Sequence, residues 1–232
     1  MESTHYPNRL ESLCLGSIFT TLGIGFYYAT VDKKMFEAVY VLEDGLIEWA
    51  TVGILFSGFC LCLYRVFNLR KVRRPWFLFC TLLLALIFLF GAGEEISWGQ
   101  RMSSNRMASE FFVKHNTQQE TTFHNLVVGG VRLNKVVFGT GLGIFMGIYL
   151  LLFGLMDHKW KKFHKFISSF AIPLPRYHHI LAFILMFILV NLVPSGKKGE
   201  LTEFAGSFLF LMIVLNPVNS YLFWRDSSPA AP

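Results

Sequence analysis

Long apolar runs alternate with short charged stretches along the whole chain. Runs at about 13–29, 43–64, 76–100, 135–156, 177–193 and 200–224 each predict a helix that could cross a bilayer at ~1.5 Å per residue. The pattern therefore predicts an all-α integral membrane protein of about six transmembrane helices. Residues 1–12 read as a polar cytoplasmic segment, 13–224 as the transmembrane domain and 225–232 as a disordered tail. The stretch 101–133 is too polar to span and predicts a long outer loop between the third and fourth helices. The first run lacks a basic leader and a small-residue cleavage site, so it is expected to be retained. Gly139, Gly141, Gly143 and Gly147 predict close helix packing in the fourth run, and Asn216-Pro217 a kink in the sixth.

Composition sharpens this picture. The chain is 53% hydrophobic and only 16% charged, against roughly 25% charge in soluble domains. A net charge of +6 would suit a nucleic-acid partner if the cations formed a patch. They fall instead in short loops, which is a signature of membrane topology, so no nucleic-acid partner is expected. Arg65, Arg70, Lys71, Arg73 and Arg74 follow the second run, and Lys159, Lys161, Lys162, Lys165 and Arg176 follow the fourth. The positive-inside rule places both loops, and with them both termini, in the cytoplasm. Cys14, Cys60, Cys62 and Cys80 lie in or beside apolar runs without CxxC spacing and read as small hydrophobes. Trp49, Trp76, Trp98 and Trp224 read as interfacial anchors.

That orientation gathers the acids on the outer side. Glu43 and Glu48 open the second run, Glu94 and Glu95 close the third, and Glu200 and Glu203 open the sixth. Gln100 and Arg101 follow the third run, Glu94 lying ~10 Å deeper than Arg101 if the helix continues. The loop adds Asn116, Glu120, His124 and Asn125, with Glu120 and His124 one helical turn apart. Carboxylates at such depth are expensive, which marks them as site candidates. Carboxylates with an imidazole suit a divalent metal, for which Glu48, Glu94, Glu120, His124 and Glu203 are the candidate ligands. The same groups suit acid/base work, with Glu94, Glu95, Glu120 and His124 as the catalytic candidates. Gln100, Arg101, Asn116 and Asn125 would bind substrate. Glu94 or Glu95 could alternatively form a structural ion pair with Arg101 or Arg132. Glu43 and Glu200 read more simply as helix-entry charges. His178 and His179 fall on the opposite side and are set apart from the cluster.

The segments Glu43-Asp44-Gly45-x-x-Glu48-Trp49, Gly93-Glu94-Glu95-Ile96-Ser97-Trp98-Gly99-Gln100-Arg101 and Asn116-x-Gln118-x-Glu120-x-x-x-His124-Asn125 resemble a family of bacterial multi-pass membrane proteins of uncharacterised activity. The resemblance covers roughly residues 40–210 and implies a bacterial inner-membrane location. The Ser-x-x-x-His and His-x-x-x-His elements of ceramidase-type membrane hydrolases are not matched.

The expectation is a membrane-embedded enzyme acting on a lipid or lipid-linked substrate, with a divalent metal as the candidate cofactor and the bilayer as its surroundings. A proton- or cation-coupled transporter or channel, and an assembly or scaffolding subunit, are the alternatives.

Overall fold

A computed structural model describes residues 7–102, 110–116, 119–123, 126–132 and 141–224. Its elements in order are α1 (Arg9–Val31), the short α2 (Lys33–Met35) running into a π-turn (Phe36–Tyr40), α3 (Leu46–Leu69) and α4 (Pro75–Glu95). After a 3₁₀ segment (Ser97–Met102) come α5 (Glu110–His115) and a two-stranded hairpin of β1 (Val127–Val128) and β2 (Val131–Arg132). Next are α6 (Leu142–Lys159), which carries a π-segment at Tyr149–Phe153, and then α7 (Lys161–Ser169), α8 (Tyr177–Leu192) and α9 (Gly199–Leu215). Among the described residues, α1, α3, α4 and α6 are long and apolar enough to cross a membrane. The apolar α8 is shorter, at 16 residues.

Most large apolar side chains on these helices point outward; Ile87, Phe187 and Ile144 are about 60% exposed, which suits contact with acyl chains. The buried minority gathers around α9. Leu201, Phe204, Ala205 and Met212 pack with Ile18 and Leu22 of α1 and Met186 and Val190 of α8. Val214 joins Leu55 and Cys62 of α3 to Ala85 and Phe88 of α4, while Leu209 and Ile213 meet Tyr149 and Leu150 of α6.

Contacts at the two ends show that successive long helices alternate in direction. At one end Glu11 of α1 meets the start of α8, and Arg65 of α3 meets the last residues of α9. At the other, Glu37 reaches Ser195 beyond α8, and Gly25 of α1 lies against Leu201 near the start of α9.

Several local expectations are corrected. The close approaches are made by Gly25 on Leu201 and Gly58 on Phe88, whereas Gly143 and Gly147 of α6 face open space. The third run stops at Glu95 rather than continuing to residue 100. Asn216-Pro217 ends α9 rather than kinking it, because proline offers no N–H and Asn216 leaves the helical region. The Lys-rich stretch after α6 is itself a helix, α7.

Candidate functional site

Helix α4 starts with Pro75 at its first position, where a missing N–H costs nothing. It stops because Ser97, Trp98 and Gly99 take φ values of 48°, 53° and 75°. Glycine enters this left-handed region freely, but Ser and Trp each lose about 1–2 kcal/mol there. Neighbouring contacts hold them in place. The Trp98 indole N–H donates to Glu94 Oε1 at 2.7 Å. The ring lies so close to Gly93 that a Cβ would sit 2.9 Å from it, and it meets Phe90 edge-on at 5.7 Å. The chain thus hooks back on the last turn of its own helix, and Glu94 does not lie a straight two turns below Arg101.

The following loop is tied to this hook. The Phe123 amide donates to Glu94 Oε2 at 2.7 Å, and the Thr121 amide to Gln100 Oε1 at 2.7 Å. Ser97 Oγ donates to Glu120 Oε2 at 2.5 Å. Asn116 braces the turn from within by donating to the Thr122 carbonyl and hydroxyl at 2.8 and 2.9 Å. Phe123 packs between Phe90 and Phe112. The loop therefore folds back over the end of α4. Glu94 is 5% exposed and Ser97 fully buried, while Glu120 is half-buried.

Four expected site residues, Glu94, Gln100, Asn116 and Glu120, thus share one hydrogen-bonded knot. Glu95 is half-buried as the last residue of α4. Glu48 is buried in the first turn of α3, where its Oε2 accepts the Asp44 amide at 2.6 Å. Glu203 is half-buried near the start of α9. Among the described residues, no three of Glu48, Glu94, Glu120 and Glu203 bring ligand atoms within 4.8 Å of one another. His124, Asn125 and the side chains of Arg101 and Arg132 lie outside the described residues.

The opposite end holds groups the sequence reading passed over. Glu11, His178 and His179 place one ligand atom each within 4.8 Å of one another. Two imidazoles and a carboxylate could hold a metal by residue type. The hydrogen bonding favours a proton instead. The Arg176 amide donates to His179 Nδ1 at 3.2 Å, which leaves the ring proton on Nε2, 3.2 Å from Glu11 Oε1. His178 Nε2 approaches the same oxygen at 3.1 Å, and its buried Nδ1 has no hydrogen-bond partner among the described residues. The Asn8 amide takes Glu11 Oε2 at 2.9 Å.

Three guanidiniums complete this end. Arg65 is 1% exposed, donates to the carbonyls of Val214 and Leu215 at 2.7 and 3.1 Å, and lies over the Phe223 ring at 4.8 Å. Arg176 donates to the carbonyl and side chain of Asn216, and Arg73 to the carbonyl of Tyr221 at 2.8 Å. Cations suit a helix carboxyl end, where unpaired carbonyls and the macrodipole are both negative. An acid in the first turn of one apolar run and a His pair opening another were the available signals. Ionisable groups at the ends of spans normally have partners.

No protein-family model, curated protein or solved structure matches the chain.

Proposed function

We propose that this chain is a six-span protein of the bacterial inner membrane, with both termini cytoplasmic and an enzyme centre on its outer side. Its substrate would be a lipid or a lipid-linked molecule. Glu120 would be the acid/base group. It is half-buried, and Ser97 fixes one of its oxygens on strained backbone. That arrangement carries the proposal, since backbone strain held in place by surrounding contacts concentrates at functional sites. Glu94 would be a positioning residue, because each of its oxygens already accepts an N–H that anchors the loop. His124 follows directly after the anchored Phe123 in the chain and would supply the second titratable group. Gln100, Asn116, Arg101 and Asn125 would shape and bind the polar headgroup.

The transporter reading is disfavoured by what lies between the two polar ends. Leu55, Cys62, Ala85, Phe88, Ala92 and Val214 form an apolar cluster there, and the buried Thr51 and Thr81 hydroxyls donate back to their own helices.

The test is turnover by purified protein in nanodiscs given a lipid extract and lipid-linked substrates, with products read by mass spectrometry. Glu120→Gln and His124→Ala should abolish product formation while the melting temperature holds. Metal content, wild type against His124→Ala, separates metal-assisted from purely acid/base chemistry. Full turnover by a stable Glu120→Gln variant, or none by the wild type, would overturn the reading.

A further inference from the structure

At the arginine end, α6 runs off its span into Lys159 and Trp160, and α7 turns away as a separate helix. Between them lies a shallow groove of about 580 Å³, lined by Lys159, Trp160, Lys161, Lys162, Phe163 and Phe166 among others. Its lining combines three aromatic residues with three lysines. Trp160 is 58% exposed and Phe166 41%, which is unfavourable toward water and suited to the acyl–headgroup boundary. Helix α7 has the matching two-sided character. Ile167 is buried, Phe170 meets Trp76 at the base of α4 edge-on at 5.6 Å, and Lys161, Lys162 and Lys165 are exposed. The neighbouring carboxylate of Asp157 pairs with His164 at 3.1 Å and does not line the groove.

The lysines also stand in an electrostatically poor place. Lys161 and Lys162 occupy the first turn of α7, no side chain caps that turn, and the helix dipole is positive there. Lys159, Lys161 and Lys162 line one apolar groove at the end of a membrane-crossing helix, beside the amino end of α7. An anion would be attracted to these cations, and an acyl chain would cover the rings.

We propose that this groove is a binding site for an anionic phospholipid, its phosphate between Lys159, Lys161 and Lys162 and an acyl chain along Trp160, Phe163 and Phe166. The inference rests only on membrane embedding and is independent of the enzyme reading. Phosphate charge supplies the selectivity and the aromatic lining supplies retention.

Native mass spectrometry of the full chain, released from detergent containing phosphatidylglycerol or phosphatidylethanolamine, tests this directly. The wild type should retain phosphatidylglycerol preferentially. Each Lys→Gln change at 159, 161 or 162 should lower that preference about fivefold. Lys71→Gln, an exposed cation at the same end but outside the groove, should leave it unchanged. Trp160→Ala should weaken retention of both lipids. Inorganic phosphate alone should neither raise the melting temperature as phosphatidylglycerol does nor displace the bound lipid. Equal retention of the two lipids, an unaltered preference in the triple Lys→Gln variant, or full mimicry by free phosphate would each overturn the proposal.

Discussion

The two ends of the helix bundle solve opposite problems with opposite charges. At the arginine end, cations meet the carbonyls that α9 leaves unpaired where it stops, so charge and helix dipole agree. At the carboxylate end, Glu94 and Glu95 sit in the last turn of α4, where the dipole is negative and an anion is disfavoured by about 0.3–1 kcal/mol. Ser97 and Trp98 add left-handed backbone to that cost. The arginine end is therefore a scaffold in which charge and dipole agree around α9, with Ala171 as its left-handed non-glycine residue among the described ones. The other holds its strain through a set of specific hydrogen bonds, the arrangement expected where geometry serves chemistry.

The contrast can be broken by mutation. Arg65→Ala should have the largest effect, roughly 3–5 kcal/mol, because two charge-assisted bonds go and two helix-end carbonyls are left unpaired in a buried space. Arg65→Met keeps much of the volume and should recover only part of the loss. Thermal melts in detergent and abundance in the membrane measure both. Glu94→Gln comes next, at about 1–3 kcal/mol, since an amide can accept only one of the two N–H groups that Glu94 now accepts and turns a donor toward the other. Its mark should be local, with faster proteolysis within residues 110–126 than in the wild type. Glu94→Gln as damaging as Arg65→Ala, with no local exposure, would erase the distinction between strained site and scaffold.

The smallest effect concerns pH. The Ser195 hydroxyl holds the Glu37 carboxyl below its ordinary value, and Lys33 adds to this. A lowered folded value means stability that is present above the ordinary carboxylate range of about 4.3 and is lost as pH falls through the folded value. Glu37→Gln should therefore lower the melting temperature slightly at neutral pH, leave it unchanged at pH below the folded value, and so flatten the acid limb of the profile. An unchanged acid limb would count against the Ser195 contact.

The order of the apolar helices was legible because burial in lipid writes itself into hydropathy residue by residue. The hook after α4 was not. Apolar character continues past Glu95 through Ile96 and Trp98, and neither Ser nor Trp announces a left-handed backbone; Gly99 was the one local hint. The loop returns over the end of α4 because the buried Glu94 carboxylate needs donors, which the Phe123 amide and the Trp98 indole supply. Arg65 was counted as a loop charge, yet it belongs to α3 and is buried by the end of a helix 149 residues away. Glu11 and the His pair, 167 and 168 residues apart, likewise needed three-dimensional placement to be seen together. Glycine spacing in α6 misled because periodicity shows which residues share a face and not what that face meets.

The position of α9 bears on how the chain is made. Three of the core clusters, which hold α1 with α8, α3 with α4, and α6, each include residues of α9, and Arg65 and Arg176, which donate to carbonyls at its end, precede it in the chain. Until α9 leaves the translocation machinery, α1, α3 and α8 have no common partner, and Arg65 and Arg176 lack the carbonyls they will bind. Helices α3 and α4 pack directly on each other through Gly58 and Phe88 and can pair as soon as both are made, whereas closure of the bundle around α1, α3 and α8 waits for α9.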